Sequence, residues 1–98
     1  MTTIEEAELF VASRGVVLTG KKEDTDQIVA PRSYDYVTSD GVRVGVTQFH
    51  TEKAATTYRR AFEDVPLGGE TYLQRGRIII SIWGATDAKR QAVIKTLE

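Results

Sequence analysis

His50 is the single histidine in a chain of 98 residues without cysteine, and its imidazole is the side chain whose ordinary pKa suits proton transfer near neutral pH. That chemistry needs a serine nucleophile or a carboxylate held beside the imidazole. Ser13, Ser33, Ser39 and Ser81 each fall where a helix end, a strand or a turn accounts for them, and Gly-x-Ser-x-Gly is absent. His50 therefore reads as a surface or capping residue. The absence of cysteine removes thiolate nucleophiles and disulfides, and with one histidine it leaves too few ligands for a structural zinc. Asp24-Thr25-Asp26 has the start of a calcium loop but neither the third ligand position nor the turn glycine, and reads as a solvated loop. Gly68-Gly69 and Gly84-Ala85-Thr86 are shorter than phosphate-binding loops, so they read as helix stops and strand exits. No catalytic residue, cofactor site or metal site is expected.

Arg75-Gly76-Arg77, with Tyr72 and Trp83 close in sequence, is the arrangement nearest to a nucleic-acid surface, because guanidinium groups neutralise phosphate while aromatic faces stack on bases. Thirteen Lys and Arg against fourteen Asp and Glu give a net charge of −1, without the basic excess that such binding uses. Turn chemistry and charged gatekeeping of the following strand explain the two arginines better.

That strand is the run Arg77-Ile78-Ile79-Ile80-Ser81-Ile82-Trp83, too apolar and β-branched to leave at a sheet edge. It belongs inside a sheet with both faces covered. Ahead of it, Thr3 and Glu6 form a capping box for a helix over 4–14, and Val16-Val17-Leu18-Thr19 predicts a short strand. A charged loop over 20–26 and an extended stretch over 27–30 lead to Pro31. Ser39-Asp40-Gly41 separates two alternating runs. A three-residue turn with Gly41 left-handed pairs Tyr34 with Val46 and Tyr36 with Val44, gathering the large side chains on one face. Thr51 caps a helix whose Ala54, Ala55, Tyr58, Ala61, Phe62 and Val65 follow the helical period, and Pro66 and Gly68-Gly69 end it. Glu70-Thr71-Tyr72-Leu73 and the isoleucine strand form a second hairpin about an Arg75-Gly76 turn, with Leu73 opposite Ile78. Thr86-Asp87 opens a last helix that docks Val93, Ile94 and Leu97.

The order αβββαββα predicts an α+β fold over residues 1–98 as a single domain: a two-layer sandwich of about five antiparallel strands with helices mainly on one face. Tyr34, Tyr36, Val42, Val44, Val46, Ile78, Ile80 and Ile82 form the helix-facing side, with Tyr58, Ala61, Phe62 and Val65 covering it. Alternation then sends Tyr72, Ile79 and Trp83 outward with Arg75 and Arg77 at the border, a composition suited to an interface. The functional expectation is a non-enzymatic interaction domain using that surface for a homodimer or a protein partner. The alternative is a small-molecule pocket between sheet and helices lined by Tyr34, Tyr36, Tyr58 and Phe62. No run approaches the ~20 apolar residues of a membrane helix, and no basic and apolar leader precedes the first helix, so the cytoplasm is the default location.

Overall fold

A computed structural model describes residues 1–25, 31–63 and 70–98. The elements follow as α1 (Ile4–Ser13), β1 (Leu18–Glu23), β2 (Arg32–Thr38), β3 (Arg43–Gln48), α2 (Glu52–Glu63), β4 (Thr71–Arg75), β5 (Ile78–Trp83) and α3 (Asp87–Leu97). The predicted extended stretch over 27–30, Val65 of the expected helix and the helix stop at Pro66 and Gly68-Gly69 lie outside the described residues. The strands make one antiparallel sheet in the order β1-β2-β3-β5-β4, an α+β fold.

Local chemistry sets the helix starts. The Thr3 hydroxyl accepts from the Glu6 amide at 3.1 Å and the Thr86 hydroxyl from the Lys89 amide at 3.3 Å, while Thr51 accepts from Ala54 at 3.0 Å; each relieves an amide that the first helical turn leaves unpaired. The β2–β3 hairpin has the predicted three-residue turn. Gly41 sits at φ +82, and Thr38 donates to the Val42 carbonyl at 2.9 Å. Tyr34 pairs with Val46 and Tyr36 with Val44.

The second hairpin turns one residue later than predicted. Gly76, at φ +63, takes the first central position and Arg77 the second, so Arg75 opposes Ile78 and Leu73 opposes Ile80. The positive φ belongs to the glycine, which a two-residue turn accepts at its first position. Shifting the partner by two leaves every side chain on its expected face. The first strand also differs: β1 continues through Gly20-Lys21-Lys22-Glu23 instead of ending at Thr19. Gly20 at φ +64 accommodates an irregularity between Thr19 and Lys22, and the charges fit because this is an edge strand open to water.

β5 lies between β3 and β4 with Ile78, Ile79, Ile80 and Ile82 fully buried. Tyr36, Val42, Val44, Val46, Ile78, Ile80 and Ile82 pack against Ile4, Ala7 and Val11 of α1 and Val93, Ile94 and Leu97 of α3. The placement of α2 is the main correction. Its Ala54, Ala55 and Tyr58 join Phe49, Ile79 and Tyr72 in a separate cluster on the opposite face. Phe49 explains the side taken: it continues the Gly45, Thr47 face of β3, its amide is held by the Arg77 carbonyl at 2.9 Å, and α2 begins three residues later. So short a connection leaves the sheet on the side Phe49 points to. The helical period named Ala54, Ala55 and Tyr58, which meet the sheet, together with Ala61 and Phe62, which are exposed, and it carries no information about which face the helix meets.

Candidate functional site

The outer face of the sheet is read from its registers. Val37, Arg43 and Trp83 form one row, Asp35, Gly45, Ser81 and Tyr72 a second, and Ser33, Thr47, Ile79 and Gln74 a third. α2 packs against β4 and β5 and covers the third row together with Tyr72. Ile79, expected in an exposed patch, is therefore completely buried beneath it. Tyr72 is half-buried, its ring meeting Tyr58 edge-on at 6.5 Å and lying 6.3 Å from Phe62. Burial, helped by its hydrogen bond to the Glu70 carboxylate, pushes the Tyr72 hydroxyl's pKa upward.

Gln74 fastens α2 to this face. Its amide nitrogen donates to the Thr56 hydroxyl at 2.9 Å and to the Gly76 carbonyl at 2.9 Å, and its oxygen accepts from Arg59 Nε at 2.8 Å. Arg59 also pairs with Glu63 at 2.7 Å, four residues along the helix. Nothing in the sequence marks Gln74, because its partners on α2 lie 15 or more residues away.

Beyond α2, Trp83 is the dominant feature. Its ring lies over Gly45, where a Cβ would stand 3.2 Å from the ring edge and 3.3 Å from the Asp35 carboxylate. Only the missing side chain at Gly45 allows the indole and the carboxylate to come together above the strand. Asp35 is half-buried, and desolvation, reinforced by the charge of Asp24, raises its pKa against the opposing pull of Arg43 and Lys22. Arg43 is exposed, with its aliphatic stem against Gly84. In the third row of the same face the hydroxyls of Ser33 and Thr47, both buried, bond to each other at 3.0 Å. The arrangement offers an aromatic plate, an acid and a base on one flat, partly covered sheet face.

The two border arginines are engaged elsewhere. Arg75 projects on the α1/α3 side of the sheet and donates to the carbonyls of Gln74 at 2.9 Å and Leu97 at 3.3 Å. Arg77 donates to Thr2 at 2.9 Å and to the carbonyl of His50 at 3.3 Å. Of the five expected surface residues, Trp83 occupies the uncovered part of the outer face, Tyr72 sits at the margin of α2, and Ile79, Arg75 and Arg77 serve packing or backbone ties.

The four aromatics of the alternative pocket do not line one cavity, because the sheet separates them. Tyr58 and Phe62 stack at 4.5 Å on the α2 side, beside a groove of about 440 Å³ that runs along Phe49, Ala54, Thr57 and Tyr58. Tyr34 and Tyr36 pack on the α1 side. There the Tyr36 hydroxyl donates to Glu8 at 2.6 Å, Lys21 pairs with Glu8 at 2.9 Å and lies 4.6 Å from the centre of the Tyr34 ring, and Arg32 grips Glu5 through two bonds of 2.9 and 2.7 Å. A second groove of about 470 Å³ opens beside this network, lined by Glu8, Val16, Leu18, Lys21 and Tyr36. The spacing of Glu5 and Glu8 on one side of a helix was visible in sequence, but their partners were not.

His50 is exposed and contributes its carbonyl to Arg77. Among the described residues no group of three or more His, Cys, Asp and Glu side chains is placed to hold a metal ion, and no helix is long and apolar enough to cross a membrane. No protein-family model, curated protein or solved structure matches this chain.

Proposed function

We propose that this chain is a non-enzymatic binding domain that associates with a second copy or a protein partner through the part of its outer sheet face around Trp83, Arg43, Val37 and Asp35. The observation that carries the reading is Trp83: the only tryptophan in the chain is half-buried on a sheet face of which, among the described residues, α2 covers one side, with an exposed arginine as its cross-strand neighbour. Tryptophan and arginine at a flat, partly desolvated surface are the types that concentrate binding energy at interfaces. The raised pKa of Asp35 fits the same picture, since a carboxyl already partly stripped of water loses less hydration when a partner closes over it.

Sedimentation equilibrium at tens of micromolar, on the wild type, Trp83→Ala and Arg43→Glu, tests it. The expected result is a concentration-dependent mass that Arg43→Glu abolishes while its circular dichroism stays native. A wild type that is monomeric throughout, with Trp83→Ala unfolding instead of dissociating, would remove the homodimer and make Trp83 a core residue. The groove beside α2 supports a second reading, a small apolar ligand against Phe49 and Tyr58. Thermal-shift screening of metabolites separates the two, because a ligand at a hundred times its Kd adds about 2.7 kcal/mol of stability.

A further inference from the structure

The two edges of the sheet are built differently. At one, β1 is broken in register between Thr19 and Lys22 and presents Lys21 and Lys22, devices that discourage another strand from adding. At the other, β4 pairs with β5 residue for residue from Thr71 to Arg75 without a bulge. One bond identifies the backbone groups that β4 turns outward. The Phe49 amide donates to the Arg77 carbonyl, so the odd-numbered residues of β5 bond toward β3 and the even-numbered ones toward β4. Ile78, Ile80 and Ile82 are then the bonding partners of Arg75, Leu73 and Thr71, and the main-chain groups of Tyr72 and Gln74 point away from the sheet. The Gln74 carbonyl agrees, since the Arg75 guanidinium caps it at 2.9 Å. Among the described residues no strand pairs with this edge.

Beside the edge runs an open groove of about 410 Å³ between β4 and α2, lined by Glu52, Thr56, Arg59, Glu63, Tyr72 and Gln74. We infer that β4 and α2 together form a docking groove for an extended peptide segment of a partner protein, which adds to the sheet beside β4. The amide and carbonyl of Tyr72 and the amide of Gln74 are complemented by another extended backbone, the Gln74 carbonyl being held already by Arg75, and a helix alongside the edge gives alternate side chains of the added strand a wall to read. That wall is polar, so the fitting peptide carries small or polar residues there. A second copy adding its own β4 is the competing occupant: a chain that self-associates without peptide, its Tyr72 and Gln74 amides already protected, would overturn the partner peptide. The groove lies at the β4 margin, apart from Trp83 over Gly45 on β3, and the inference stands independently of the proposed Trp83 surface.

The test begins with selection of displayed random linear peptides on the full chain, after which the most enriched peptide is synthesised as the probe. Hydrogen exchange at the Tyr72 and Gln74 amides is expected to slow on binding. The same peptide methylated at alternate backbone nitrogens is expected to bind at least ~10-fold more weakly, since each methyl removes a main-chain donor. Affinity for the Arg43→Glu chain should be unchanged, which separates this groove from the surface around Trp83. Failure to enrich any peptide, protection confined to β1, indifference to methylation, or loss of binding in Arg43→Glu would each overturn the β4 groove.

Discussion

Gln74 shows how much a single polar side chain can decide. It satisfies Thr56 and Arg59 at once and so holds α2 against β4. Gln74→Ala would leave those partly buried groups without their protein partner, and a loss of about 1–3 kcal/mol is expected in a denaturant melt; an unchanged midpoint would mean that water replaces the amide without cost. Glu8 makes a pH-dependent contribution. Burial opposes ionisation, but the hydrogen bond from Tyr36 and the ion pair with Lys21 outweigh it and hold the carboxyl below its ordinary value. A folded-state pKa that is depressed adds stability above the unfolded value of about 4.3, and that stability disappears as pH falls through the folded value. Glu8→Gln keeps an acceptor for Tyr36 but loses the charge. Its deficit relative to wild type should be measurable by urea melts at about pH 7 and should shrink as the pH is lowered below the unfolded value of about 4.3.

At the scale of elements, β5 is the strand on which both layers depend, because its two faces are buried against different helices. Ile80 packs in the α1/α3 cluster and Ile79 in the α2 cluster. Truncating either to alanine is expected to cost about 2–5 kcal/mol, from lost transfer energy plus the cavity left behind. A strand with one wet face would show this for alternate residues alone. Equilibrium unfolding of Ile79→Ala and Ile80→Ala separates the cases, and a loss below about half a kcal/mol for Ile79→Ala would contradict the packing of α2.

The whole molecule has a radius of gyration of 12.4 Å, close to the ~13 Å expected for a compact chain of this length. Arg77 ties together three parts that are remote in sequence. From the β4–β5 turn it donates to the carbonyl of Thr2 before α1 and to that of His50 before α2, while its amide donates to Met1 at 3.3 Å. Arg77→Ala is expected to cost about 1 kcal/mol, and Arg77→Lys should not restore it, because one ammonium on a flexible stem does not span two carbonyls as a planar guanidinium does. Faster hydrogen exchange over residues 1–6 in both variants, with β2–β3 unaffected, checks the tie.

What the sequence by itself determined is local or periodic. Thr3, Thr51 and Thr86 cap helices through amides three residues on, Gly41 supplies the left-handed position of its turn, and alternation divided β5 into the correct two faces. Period-2 and period-3.6 patterns state which residues share a face, and they do so from spacing alone. The tertiary structure decided which faces meet. It buried Ile79 under α2, split Tyr34 and Tyr36 from Tyr58 and Phe62, and drew Arg75 and Arg77 onto distant carbonyls. Those outcomes rest on the side from which a short connection leaves the sheet and on hydrogen bonds spanning 15 to 75 residues. Neither quantity is encoded in the spacing of residue types along one element, which is why the candidate surface contracted to Trp83 and its neighbours once the helices were in place.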